Sequence, residues 1–346
     1  MPQWGLCPAS VSHSSDLLCS LRSDVKKLKF LVSLRRRESS YQRQNAAAVE
    51  EAAKRLGVEV ETVYAGNDAL NQSEQLLKVI QSPPNLRPDG ILCAPVGTTM
   101  QQVARSAAAA GMGWAVLSRE VTYIEELRRG YKAPVFSVRI DHKQVGKIQA
   151  KQMAALLPQG GMALCLLGPS GHPNTEERLS SMMAAKPANI QVKTLTADWT
   201  QQGAQKAVAR WLRLRTAYDA PMNLIAAQND EMAIGARQAF TDEVSTEELE
   251  SWMGLPYLGS VCCPDTGPKW IRQGLLTASI LNPSTADVAL EMMVRAIQTN
   301  TQPPERTLLE PASYPEIEKL ARPAPSSWVA RLEARELALR SRQRIE

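Results

Sequence analysis

Residues 223–240 read NLIAAQNDEMAIGARQAF. The first seven, NLIAAQN (223–229), form a short apolar run that closes on a polar pair, and a helix is predicted from about 230 to 240. Asn229 and Asp230 stand at the junction, where either can cap the helix start. A strand running straight into a helix is half of a β-α-β unit, whose next strand lies parallel after a right-handed crossover.

The same alternation extends outward. Upstream lie the strand KFLVSL (29–34) and the amphipathic helix YQRQNAAAVEEAAKRLG (41–57), which stops at Gly57. VEVETVYA (58–65) alternates at period two, ALNQSEQLLKVIQS (69–82) is helical, and GILCAPV (90–96), TMQQVARSAAAAG (99–111) and WAVLSR (114–119) continue the rhythm. A second series is predicted to begin near PVFSVRID (134–141), with strands MALCLLG (162–168), QVKTLTA (191–197), NLIAAQN, PYLGSVC (256–262) and LTASILN (276–282). Helices are predicted between them at about 142–157, 174–184, 200–214, 230–240 and 266–273. Two such runs in succession predict an α/β protein with two doubly wound parallel sheets. A further helix, TADVALEMMVRAIQTN (285–300), is expected to pack back on the first sheet. Residues 1–27 read as a disordered lead-in without a signal peptide's basic head and apolar core, and 323–346 as a solvated or interface helix.

Composition narrows the chemistry. The 346 residues suit two domains, and 40 Lys and Arg against 35 Asp and Glu leave +5, too mild for a nucleic-acid surface. No apolar run reaches the ~20 residues of a membrane span. Six cysteines (Cys7, Cys19, Cys93, Cys165, Cys262, Cys263) show no C-x-x-C spacing and lean towards a reducing compartment. Cys93 and Cys165 read as small buried hydrophobes. With only His13, His142 and His172, no zinc constellation assembles. A P-loop and a dinucleotide fingerprint are both absent. LGPSGH (167–172) lacks nucleophile-elbow spacing, so Ser170 reads as a turn residue. With no catalytic, cofactor or metal constellation, two α/β domains point to a small molecule held between them.

AAQNDEMAIGARQAF (226–240) resembles the sugar-binding members of the type I periplasmic binding protein superfamily, especially the ribose-binding-like proteins; the effector domains of lactose-repressor-type regulators are related. VRIDHKQVGKIQAKQM resembles the family's entry into the second domain, and QGLLTASILNPSTADVALEM its return crossing. The resemblance implies two Rossmann-like lobes, an interdomain cleft and three hinge crossings near 139–142, 281–284 and 310–315. It implies an N-terminal lobe of 28–139 plus 283–311 and a C-terminal lobe of 140–282 plus 312–322.

It also implies a ligand-binding set of Tyr41, Ser118, Arg119, Asp141, Arg178, Trp199, Asn229 and Asn282. Such a set suits a polyol, with aromatic rings stacking on flat C–H faces and planar Arg and Asn groups meeting hydroxyls. Plainer roles stand beside these: Trp199 as a hydrophobic anchor, Asn229 as a helix cap, Arg119 and Arg178 as surface charges. Ser118 occupies a position where the family usually has an aspartate, and GSVCC (259–263) replaces its Gly-x-Asp-Gly. Losing two carboxylates makes an anionic sugar derivative a candidate ligand. The function implied is carbohydrate capture for ABC-type uptake in the cell envelope, with a permease as partner. The alternative is a cytoplasmic sensor that works through a regulator protein and lacks a DNA-binding domain.

Overall fold

The computed structural model describes residues 27–320, apart from 98–99, 215–220, 262 and 264–265. The lead-in, except Lys27, and the C-terminal tail lie outside the described residues.

The chain alternates through β1 (Lys29–Leu34), α1 (Ser40–Leu56), β2 (Glu59–Tyr64), α2 (Ala69–Ile80), β3 (Gly90–Cys93), α3 (Gln101–Ala109), β4 (Gly113–Leu117), α4 (Ile124–Gly130) and β5 (Val135–Ile140). The second run is α5 (His142–Leu156), β6 (Gly161–Leu167), α6 (Pro173–Ala185), β7 (Ile190–Thr196), α7 (Gln201–Leu212), β8 (Leu224–Ala227), α8 (Asp230–Glu243), α9 (Thr246–Met253), β9 (Tyr257–Leu258), α10 (Gly267–Arg272) and β10 (Ser279–Leu281). The chain then continues through α11 (Ala286–Thr299), β11 (Arg306–Leu309), β12 (Ala312–Tyr314) and α12 (Ile317–Leu320).

Local chemistry sets these boundaries. α1 ends at Gly57, whose φ of +70° is a left-handed conformation that costs glycine little and whose N–H returns to Lys54. α2 opens on Asp68, which accepts from the N–H groups of Leu70 and Asn71.

The first sheet is entirely parallel, in the order β11-β5-β4-β3-β1-β2. One apolar layer joins it to α1 and α11 through Val32, Leu34, Val49, Leu290 and Met293; the other covers Ile91, Trp114 and Val116 with Leu76, Val103 and Ile124. Helix 285–300 thus packs on the first sheet, where a helix returning after the last strand of the second run is expected. The second sheet, β7-β6-β8-β9, is also parallel, and β10 pairs antiparallel with β12.

The strand 134–141 belongs to the first sheet, a correction to the reading that starts the second series there. Its residues 135–138 pair with 114–117 of β4, and β11 closes on its other side. An apolar strand buried on both faces carries no mark of which sheet it joins. The strand expected at 256–262 shrinks to Tyr257–Leu258. Gly259 follows so close to Asp230 that a Cβ would stand 2.0 Å from Oδ1, and Val261 has φ +61°.

In each sheet the first strand of the run lies inside the order, β1 between β2 and β3, and β6 between β7 and β8. Successive crossovers therefore leave on opposite faces, and loops at the carboxyl ends part to form a crevice.

Candidate functional site

Those carboxyl-end loops enclose a cavity of about 480 Å³, within the range typical of small-molecule sites. The first sheet contributes Arg35, Arg36 and Ser39 to Gln42 after β1, Pro95 to Gly97 after β3, and Ser118 and Arg119 after β4; the second contributes His172 and Asn174, Asp198 and Trp199, and Asn229 to Glu231. Polar contacts join the two walls. The N–H and hydroxyl of Ser40 donate to Glu231 Oε1 at 3.2 and 2.7 Å, and Arg119 Nη2 lies 3.1 Å from His172 Nε2.

Seven of the eight expected residues line this cavity. Trp199 is half-buried, with φ +67°, and its carbonyl accepts from Asn229 Nδ2 at 2.9 Å. Its ring lies flush on Gly168, where a Cβ would stand 2.2 Å from Cζ2, so glycine alone leaves room for it. The Arg178 guanidinium sits 5.4 Å from the ring centroid, within cation–π range, and the His172 ring meets it in a T-shaped arrangement with centroids 5.9 Å apart. The Trp199 plate is therefore held from three sides.

Arg178 is buried and donates to the Gln228 carbonyl at 2.6 Å. Its Nε and Nη2 both lie 3.2 Å from His142 Nδ1. A ring nitrogen facing two arginine donors must accept, which places the His142 proton on Nε2. Burial first, and Arg178 second, hold the His142 pKa well below the ordinary value. Burial pushes Arg178 itself down to about 10. Among the described residues His142 Nε2 has no partner, leaving a buried donor at the cavity wall. His172 caps α6 by accepting from Asn174 N–H at 3.2 Å. Burial, then Arg119, lowers its pKa to about 4. A neutral ring accepts at one nitrogen only, so the Asn174 and Arg119 contacts compete for it.

Tyr41 and Ser118 close the other wall. The Tyr41 hydroxyl donates to the Pro283 carbonyl at 3.3 Å, and Ser118 Oγ lies 2.9 Å from Thr285 Oγ1. Asn282 is buried, and among the described residues its Oδ1 has no partner, leaving an acceptor for a hydroxyl. Asn229 fills both roles left open for it: its Oδ1 caps α8 by accepting from Met232 N–H at 2.7 Å, and it lines the cavity.

Asp141 corrects the expected set. It is not among the lining residues, and its carboxylate caps α5, accepting from Gln144 N–H at 3.0 Å. Ile140 and His142, on either side, face the cavity instead. The sequence reading also passes over Arg35, Arg36, His172 and the acids Asp198, Asp230 and Glu231. The readable signal was position: RRR (35–37) follows β1 directly, and Asp230 and Glu231 follow Asn229.

Among the described residues, no group of three or more His, Cys, Asp or Glu could hold a metal ion, and no helix is long and apolar enough to cross a membrane. Cys93, Cys165 and Cys263 are buried free thiols, each pushed up to about 12 chiefly by burial.

Two α/β lobes around a cavity lined mostly by polar residues and carrying an aromatic plate define a cleft-binding protein. Residues 30–301 match the family described as periplasmic binding protein domain, and the chain belongs to that family. Solved structures with the same fold include a periplasmic solute-binding protein of an ABC transporter from Actinobacillus succinogenes with bound D-allose. It is 20% identical, with 85% of this chain and 99% of that chain covered and a TM-score of 0.72. The periplasmic binding protein of the arabinose ABC transporter from Shewanella sp. ANA-3, bound to L-arabinofuranose, is 18% identical over 90% and 98%, with a TM-score of 0.69. A Caulobacter myo-inositol binding protein bound to myo-inositol is 20% identical over 86% and 96%, with a TM-score of 0.67. No curated protein matches the sequence.

Proposed function

We propose that this protein is a solute-binding protein that holds a sugar or cyclitol between its lobes and delivers it to an ABC-type permease in the cell envelope. The observation that carries the reading is the cavity between the two sheets, with the Trp199 plate on one side and, at its wall, Asn282 Oδ1 and His142 Nε2, which have no partner among the described residues. A polyol has a flat C–H face for the ring and hydroxyls that both donate and accept, so it complements the lone acceptor and the lone donor together. The sugars and the inositol bound by proteins of the same fold support the same ligand class. The proposed lobes are 28–139 with 283–311, and 140–282 with 312–322, consistent with β11 pairing on β5 and β12 on β10. Their relative closure about the crossings would trap the ligand; hinge closure in periplasmic binding proteins is itself a standard illustration of such motion.

A thermal-shift panel of pentoses, hexoses and inositols tests the reading, since a ligand at ~100 times its dissociation constant adds about 2.7 kcal/mol of stability. Replacing Trp199 by alanine is expected to weaken the best ligand by about 1–3 kcal/mol, taking base–aromatic stacking as the analogue. The melting temperature without ligand should move little, because the ring is only half-buried. Unchanged affinity by calorimetry with a collapsed melting temperature would make Trp199 a core residue and remove the stacking plate from the site.

A further inference from the structure

We infer that the ligand of this cleft carries an oxyanion, a phosphate or a carboxylate, seated on Arg35 and Arg36 where α1 opens; the inference rests on the polyol reading above. Both residues line the cavity, immediately after β1. Arg35 is fixed by its backbone, with its N–H on Gln42 Oε1 at 3.0 Å and its carbonyl accepting from Asn67 N–H at 2.7 Å.

What distinguishes this pair is the absence of partners. Among the described residues, neither guanidinium has a hydrogen bond or an ion pair. The other two arginines of the cavity are engaged, Arg119 with the Gly97 carbonyl and His172, and Arg178 with the Gln228 carbonyl and His142. The acids of the cavity all come from the second run and are engaged there or at the seam. Asp198 accepts from Thr200, Asp230 from Ser279, and Glu231 from Ser40. Burial and the neighbouring positive charge of Arg119 push Arg35 down to about 10. A part-buried guanidinium beside a like charge is better held when an anion meets it, and its planar fork fits a carboxylate or phosphate at two points.

A second observation comes from the helix. α1 runs 17 residues, with no side chain capping its N-terminus and no acid in its first turn. The carboxylate of Glu231 already sits on its first N–H, at Ser40, so this helix end receives an oxyanion in the structure itself. The positive end of the helix dipole suits the same chemistry. Arg35 and Arg36 thus form an electropositive seat on the first sheet's side of the cavity, next to the start of α1.

The test is calorimetry at low salt with neutral pentoses and hexoses, their phosphates, the corresponding sugar acids, and inorganic phosphate alone. At least one anionic derivative is expected to bind about tenfold or more tightly than its neutral parent, a preference that shrinks as salt is raised. In Arg35→Gln the ratio of the two constants should fall to within about threefold of one, and in Arg36→Gln it should fall part of the way. The melting temperature of Arg35→Gln without ligand should hold or rise, since an unpaired charge is removed; this separates lost recognition from lost folding. Neutral sugars binding as tightly as their anionic derivatives would overturn the inference and leave the polyol reading standing. An anion preference untouched in both variants would overturn the assignment to these arginines. Inorganic phosphate binding as tightly as any sugar phosphate, with neutral sugars inert, would uphold the seat and overturn the polyol reading. No binding by any probe would overturn both.

Discussion

Asp230→Asn is expected to stabilise the protein by about 2–4 kcal/mol near pH 8 and to make almost no difference near pH 4. Asp230 is buried at the first turn of α8; its Oδ1 accepts from Ser279 Oγ, and its Oδ2 has no partner among the described residues. Burial is the main cause raising its pKa to about 7, with the Glu231 charge adding to it and the hydrogen bonds from Ser279 and Ser260 opposing it. An unfolded aspartate titrates near 3.9. Between about pH 4 and 7 the folded state therefore keeps a proton that the unfolded state has released, and stability falls as pH rises. Asparagine keeps an acceptor for Ser279 and has no charge to bury. His142 works in the opposite sense. Its folded pKa lies well below the ordinary value, so its contribution is complete above about pH 6.5 and is lost as acid protonates the unfolded chain. In the wild type the Asp230 slope opposes the histidine slope below about pH 6.5; in Asp230→Asn only the histidine slope remains, so the variant should be the more acid-sensitive protein. His172, also lowered, adds to that slope, reduced by its contact with solvent. Urea midpoints across this pH range decide the matter, and a variant no more stable than wild type near pH 8 would mean that Asp230 is not held as the neutral acid.

The strand–helix alternation was readable because each element carries its own period and its own stop. KFLVSL is β1 residue for residue, and Gly57 ends α1 where its left-handed conformation is needed. The elements that escaped are short or half-exposed: α4 has seven residues, α9 eight, and β11 alternates exposed and intermediate positions at a sheet edge. The placement of β5 was hidden for another reason, since strand pairing is non-local and its apolar run is compatible with either sheet. In the site, the resemblance points to residues at strand ends that line the cavity, whereas Asp141 is taken up by local chemistry: aspartate before a helix is a cap first. Arg35 and Arg36 were missed because a basic run has no period, and only the folded chain shows that two of its members lie in the cavity rather than in water. Gln228 carries no signal of its own in sequence. It is 1% exposed, accepts from Gly168 N–H, donates to the Thr175 carbonyl and receives Arg178 on its own carbonyl, so it ties the Trp199 platform to the Arg178–His142 pair.

Gly146→Val is expected to cost about 3 kcal/mol or more and to weaken ligand binding with it. Gly146 lies inside α5 where α6 crosses. A Cβ there would stand 2.1 Å from Ser181 Oγ, 2.3 Å from the Arg178 carbonyl oxygen and 2.9 Å from Met182 N. The serine hydroxyl can rotate away, but the two backbone atoms cannot move without α6. Because Arg178 is one of the residues struck, relief of the clash shifts the guanidinium that stacks on Trp199 and holds His142. Folding and recognition therefore fail together at this crossing, although Gly146 itself is not among the residues lining the cavity. Gly130 supplies the contrast. It ends α4 with nothing within 4 Å of a built Cβ, and its φ is not in the left-handed range. Gly130→Ala should be neutral or stabilising by up to about 1 kcal/mol, through the unfolded chain's lost freedom. Urea unfolding of both variants, with calorimetry of the best ligand from the sugar panel, separates the two cases. A Gly146→Val protein with a wild-type midpoint would show that α5 and α6 can part without penalty. A destabilised one that binds at full affinity would show that Arg178 keeps its place when α6 moves, and would uncouple the crossing from the cleft.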